Sequence, residues 1–109
     1  MRTRSRCSEG DVLMYASIRR YESIAASLDD LTIVGNRLGI ALSQTPGFVA
    51  AFALEQPGGA FVTISLFDDE AALTAGNTLA DGWTAEHCDR FGLGVAEVIS
   101  GEVLAQKGL

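Results

Sequence analysis

Two apolar, β-rich runs, Phe48 to Glu55 and Ala60 to Phe67, are separated only by Gln56-Pro57-Gly58-Gly59. Pro fixes φ and Gly accepts positive φ, so this cluster reverses the chain and the two runs pair as an antiparallel hairpin. The length of the loop then sets which side chains agree. With Pro57-Gly58-Gly59 as a three-residue loop, Phe48, Ala50, Phe52 and Leu54 share a face with Val62, Ile64 and Leu66, and that face is wholly apolar. The opposite face carries Thr63 and Ser65 between Phe61 and Phe67, a mixed surface suited to a ligand or to a wet subunit interface.

The segments around the hairpin extend the pattern. Val12 to Tyr21 alternates Val12, Met14, Ala16 and Ile18 against Leu13, Tyr15, Ser17 and Arg19, which predicts a first strand with apolar residues on both sides. Ser27 with Asp30 three positions later predicts the start of a helix whose stripe is Leu31, Val34, Leu38, Ala41 and Leu42, ended by Pro46 and Gly47. Asp68 and Asp69 suit the start of a second helix, where carboxylates meet free amides and the positive end of the dipole. Leu73, Gly76, Ala80, Trp83 and His87 follow on one stripe, and Val95 to Leu104 reads as a closing strand. The order β-α-β-β-α-β predicts an α+β domain of the ferredoxin-like kind, a four-stranded antiparallel sheet with both helices on one face. The bare face then holds apolar side chains, so the chain is expected to form a homodimer through its sheet faces.

At 109 residues one core is expected, and the 48% share of hydrophobic residues is enough to offset the ordering entropy of a folded chain. The formal charge of −6 argues against a nucleic-acid binder, and Arg2, Arg4 and Arg6 crowd the first positions, leaving the body more acidic still. Residues 1–11 are read as a flexible basic arm and 12–109 as the folded domain. No apolar run reaches the roughly 18 residues of a membrane span and no signal-type run follows the basic start, so no membrane partner is expected and the cytoplasm is the expected location. Cys7 falls in the arm and Cys88 in the second helix, read as two reduced thiols. His87 and Cys88 are adjacent on a helix, where side chains diverge by about 100°, so no metal site is expected.

Among residues that carry chemistry, His87 is the single histidine, a base able to work near neutrality or a half-buried histidine at a helix end. Trp83, four residues earlier, offers a flat face and one donor for a ring ligand, or serves as a core anchor. The two side chains superpose within about 40° on the helix. Together they are expected to border a cleft between the second helix and the sheet. Tyr15, Ser17, Arg19 and Tyr21 alternate along the first strand and form a polar strip for a pocket or for a partner subunit, where Tyr and Arg are enriched. Asn77 beside Gly76 contacts either ligand or solvent. No nucleophile elbow, phosphate loop or fixed pair of carboxylates occurs.

Met14-Tyr15-Ala16-Ser17-Ile18-Arg19-Arg20-Tyr21-Glu22, Pro46-Gly47-Phe48-Val49-Ala50 and Ser65-Leu66-Phe67-Asp68 resemble small bacterial proteins of the antibiotic biosynthesis monooxygenase type, in the dimeric α/β barrel superfamily. The resemblance spans about Val12 to Leu104. It implies a cofactor-independent monooxygenase, or a related enzyme acting on a flat aromatic small molecule. With that activity, the residues read above are expected to place His87 as the catalytic base and Trp83, Asn77, Tyr15, Ser17 and Arg19 around the substrate. Asn77 and Trp83 match the Asn and Trp that the polyketide oxygenases offer on this helix, here six residues and about 120° apart. Heme-degrading members carry an Asn on the first strand, and none occurs between Val12 and Tyr21. The same fold also serves non-catalytic dimeric modules that bind small molecules or act in stress responses, the second reading.

Overall fold

The computed structural model describes residues 14–22, 28–57, 59–91 and 96–107. The arm 1–11, the Ser27 cap and the start of the last strand at Val95 lie outside the described residues. The elements run β1 (Tyr15–Tyr21), α1 (Leu28–Ser43), β2 (Phe48–Gln56), β3 (Ala60–Phe67), α2 (Glu70–Phe91) and β4 (Glu97–Glu102). The strands form one sheet in the order β2-β3-β1-β4, antiparallel throughout. This is the ferredoxin-like α+β fold expected from the order of elements.

Local chemistry explains where the elements begin and end. Asp69 Oδ1 accepts the backbone N–H of Ala72 at 2.7 Å, the N-cap that opens α2. After α1, the Gln44 and Thr45 amides bond to the Ala41 and Leu42 carbonyls, and Gly47 turns the chain at φ 89°. A Cβ at Gly47 would stand 2.5 Å from Asp68 Oδ1 and 2.7 Å from Ala72 Cβ, so glycine is required there by space as well as by backbone conformation.

The hairpin register pairs Ala50 with Leu66, Phe52 with Ile64 and Leu54 with Val62, the parity expected from a three-residue loop. Phe48 departs from it. A register shift between Phe48 and Ala50 sets Phe48 opposite Phe67, which moves its ring to the other face of the sheet. There Phe48 meets Phe67 edge-on, ring centroids 6.1 Å apart.

The helices cover the face that carries Tyr15, Ser17, Arg19 and Tyr21 on β1 and Phe61, Thr63, Ser65 and Phe67 on β3. Two clusters form the core: Tyr21, Leu31, Val34 and Phe61 in one, and Leu38, Leu42, Phe67, Ala72, Leu73 and Ala80 in the other. Trp83 packs against both. The expected α1 stripe is thus the buried one, save Ala41, which is half-buried. Full burial of each large side chain in these clusters contributes about 1.5–3 kcal/mol.

The uncovered face carries the wholly apolar side of the hairpin. Ile99, Ile18, Ile64 and Phe52 are successive register partners and make one row across all four strands. Ile99 is 64% exposed and Phe52 53%.

Candidate functional site

The polar residues of β1 meet one stripe of α2. Ser17 Oγ donates to Asn77 Oδ1 at 2.6 Å, Arg19 Nη2 donates to Asp81 Oδ1 at 2.5 Å and to the Asn77 carbonyl at 3.1 Å, and Tyr21 OH and Thr84 Oγ1 share a hydrogen bond of 2.8 Å. The match is geometric: two residues of strand advance about 6.6 Å and four residues of helix about 6 Å, so every second strand residue finds a helix residue three or four further on. Asn77 also reaches β4, its Nδ2 lying 3.5 Å from Ser100 Oγ.

This arrangement corrects one expectation. The strip Tyr15, Ser17, Arg19 and Tyr21 does not face a partner subunit, because α2 covers it: Ser17 is 3% exposed, Arg19 4% and Tyr21 0%. Asp81 and Thr84, which complete the ladder, were not singled out from the sequence. Their spacing of four and seven residues from Asn77 on α2, against alternate polar residues on β1, is the signal that points to them.

Trp83 and His87 are stacked, ring centroids 4.0 Å apart and planes 17° from parallel. His87 Nδ1 lies 2.8 Å from the Trp83 carbonyl, and since a carbonyl only accepts, Nδ1 carries the proton and Nε2 is the basic nitrogen of the neutral ring. Trp83 borders a shallow depression with Leu79, Gly82 and Glu86 of α2 and Ala41 of α1.

The larger cavity is elsewhere. It lies between α1 and the β2–β3 hairpin, on the helix side of the sheet, with a volume of about 630 Å³. Leu42, Phe48, Ala51 and Ala53 give it apolar walls and Thr63 and Ser65 a polar floor. Its rim carries exposed Thr32, Asn36 and Ser43. Gly39 faces it, and a Cβ built there would meet nothing within 4 Å. The mixed surface expected around Thr63 and Ser65 is therefore the floor of the cavity. The cleft expected against α2, with Trp83 and His87 on its wall, is displaced to α1, and neither residue lines the cavity. The reason is packing: Trp83, Leu79 and Ala80 fill the space beneath α2, whereas α1 comes close to β2 at Gly35, where a Cβ would stand 3.0 Å from Ala53 Cβ, and leaves room at Gly39.

Among the described residues no three His, Cys, Asp or Glu side chains stand close enough to hold a metal ion, and no helix is long and apolar enough to cross a membrane.

No family model and no curated protein matches the chain. Solved structures do. A protein of unknown function from Nitrosomonas europaea, NE2512, is 21% identical, with 90% of this chain and 96% of that one covered and a TM-score of 0.65. SnoaB, a cofactor-independent oxygenase from Streptomyces nogalater, is 19% identical over 89% of this chain and 96% of its own, at a TM-score of 0.58. The monooxygenase ActVA-Orf6 of Streptomyces coelicolor, in complex with nanaomycin D, is 15% identical over 89% and 93%, at a TM-score of 0.61. At such identities the likeness is one of fold. The chain has the ferredoxin-like fold of the antibiotic biosynthesis monooxygenase-type proteins.

Proposed function

We propose that this domain takes up a flat, largely apolar aromatic molecule in the cavity between α1 and the hairpin and oxidises it with molecular oxygen, without a cofactor. The observation that carries the reading is the cavity itself. Its volume of about 630 Å³ falls within the 300–1,000 Å³ usual for small-molecule sites, and apolar walls over a few polar groups are what such a ligand requires. The oxygenase part is supported by shared fold with SnoaB and ActVA-Orf6.

In this chemistry the substrate supplies the electrons. An electron-rich phenolic ring must lose a proton before it passes an electron to oxygen, and conversion of a ring CH₂ to a carbonyl by O₂ releases one water. His87, whose Nε2 is the basic nitrogen, is the proposed proton acceptor. His87 does not line the cavity, so the proton would reach it through solvent and not directly from the bound ring, and His87→Ala tests this. A fall in kcat with substrate binding spared keeps the assignment, whereas unchanged turnover removes it.

The test of the whole reading is oxygen uptake with anthrone-like and quinol substrates, compared with Gly39→Leu, which fills the cavity from the open side of α1. Uptake by the native chain that Gly39→Leu abolishes is the expected result. One observation favours the runner-up, a non-catalytic binding module: among the described residues the cavity is lined by no histidine and no carboxylate. A ligand that binds in the cavity and leaves unchanged in the presence of oxygen would establish it. In either case we propose that the domain works as a homodimer, a second copy covering the apolar row Ile99, Ile18, Ile64 and Phe52.

A further inference from the structure

The cavity beneath α1 is a trough, and one of its long walls is the edge of the sheet. β2 is the outermost strand on this side, in the order β2-β3-β1-β4. Ala50, Ala51, Phe52 and Ala53, successive residues of β2, all line the cavity. Neighbouring side chains of a strand point to opposite faces, so consecutive residues line one space only where the backbone edge borders it. On α1 the lining runs from Thr32 to Ser43, about 16 Å of helix, and on β2 from Phe48 to Ala53, about 16 Å of strand. A volume of about 630 Å³ over that length gives a mean cross-section of roughly 40 Å², close to the 4.8 Å by 10 Å that one strand occupies in a packed sheet.

Edge strands that face water usually carry charges or proline, which deter pairing with another chain. Ala50 to Leu54 carries neither. Among the described residues the trough is lined by no charged side chain, so it suits a neutral stretch of backbone. At the opposite edge of the sheet the chain leaves β4 as just such a stretch. The Val103 amide donates to the Met14 carbonyl at 2.8 Å, and beyond it Leu104, Ala105, Gln106 and Lys107 lie outside any strand and are exposed, Leu104 to 87%. Residues 104–107 cannot pair with β2 of their own molecule. Three inter-strand spacings, about 14 Å, separate β4 from β2, which is the whole reach of four extended residues.

We propose that residues 104–107 of one copy enter the trough of a second copy and pair with the β2 edge there as an added strand, each copy giving its segment to the other. Four residues of strand cover about 13 Å of the trough, and Lys107 ends toward its mouth. The exchange stands on the shape of the trough and on the bare β2 edge, and does not rest on the ring-binding reading. Segment and ring contend for the same space, so each weakens the binding of the other.

Backbone amide exchange with deuterium, followed by mass spectrometry together with sedimentation, tests this on the intact protein and on a chain lacking 104–109. In the intact protein the amides of Ala50 to Ala53 are expected to be protected at high concentration and to lose that protection on dilution. The deletion is expected to speed their exchange at least tenfold while the amides of α2 stay protected. Added Leu-Ala-Gln-Lys-Gly-Leu peptide restores the protection, and Gly39→Leu, which fills the trough, prevents the rescue. Ala105→Pro removes a backbone donor from the exposed segment and is expected to act like the deletion, which keeps the proposal falsifiable if the shortened chain fails to fold.

Equal exchange at Ala50 to Ala53 in the intact and the shortened or Ala105→Pro chains would overturn the proposal. Protection that does not change with concentration would also overturn it, since the β2 edge would then be covered from within one molecule. A dimer that survives the deletion with β2 exchange unaltered would leave the sheet-face contact standing without the exchange. Oxygen uptake, measured on the same shortened chain, reports on the ring reading separately.

Discussion

Gly76 and Gly39 are both helical glycines, and intrinsic propensity makes alanine better than glycine by about 1 kcal/mol at either position. Their surroundings give opposite signs. A Cβ at Gly76 would stand 2.3 Å from the Phe67 ring, which is buried to 1% exposure and cannot withdraw. Gly76→Ala is expected to destabilise the domain by roughly 1–3 kcal/mol through overpacking, measured by urea unfolding. At Gly39 the Cβ enters open space, so Gly39→Ala is expected to stabilise by about 0.5–1 kcal/mol in the same assay. Trp83 is half-buried yet contacts both core clusters, and Trp83→Ala is expected to cost about 3 kcal/mol, at the lower edge for buried aromatics because part of the indole stays in water. At this scale the sequence identified the stacked pair Trp83 and His87 from spacing alone. It did not identify Asp81 or Thr84, because a polar residue on a helix looks the same whether it meets solvent or a buried arginine.

At the scale of elements, both helices and the hairpin were legible because each rests on a local period or a local turn. The α2 start is a single contact, Asp69 to the Ala72 amide, and Asp69→Ala is expected to lower stability by about 1 kcal/mol with helix content otherwise kept, read by circular dichroism during thermal unfolding. The start of β2 was less legible. The hairpin parity holds from Ala50 to Leu54, and one register irregularity at its far end turns Phe48 toward the helices. Nothing in the alternation of Phe48-Val49-Ala50-Ala51 marks that point. The polar strip along β1 reads from sequence as facing a partner subunit or a pocket, since alternation shows that a strand has a polar side and not what lies against it.

The whole molecule presents one apolar sheet face to its surroundings, with Ile18 37% exposed and Leu54 46% exposed beside the more open Ile99 and Phe52. Large apolar patches of this kind mark contact sites on small domains. Phe52→Lys combined with Ile99→Lys is expected to convert the proposed homodimer into a monomer that keeps its circular dichroism spectrum, measured by light scattering. A native chain that is already monomeric at micromolar concentration would remove the dimer from the account.

Sequence alone determined the order of elements, the fold class and the two-sided character of the sheet, because strand alternation, helical stripes and the Pro57-Gly58-Gly59 turn are encoded within a few neighbouring residues. The tertiary structure decided which face of the sheet receives the helices, and with it the burial of Ser17, Arg19 and Thr63. It also decided that the cavity opens beneath α1 rather than α2. That outcome depends on how Trp83, Leu79 and Phe67 fill space across the chain, while Gly39 leaves its own side unfilled, and volume shared by residues far apart in sequence has no local signature.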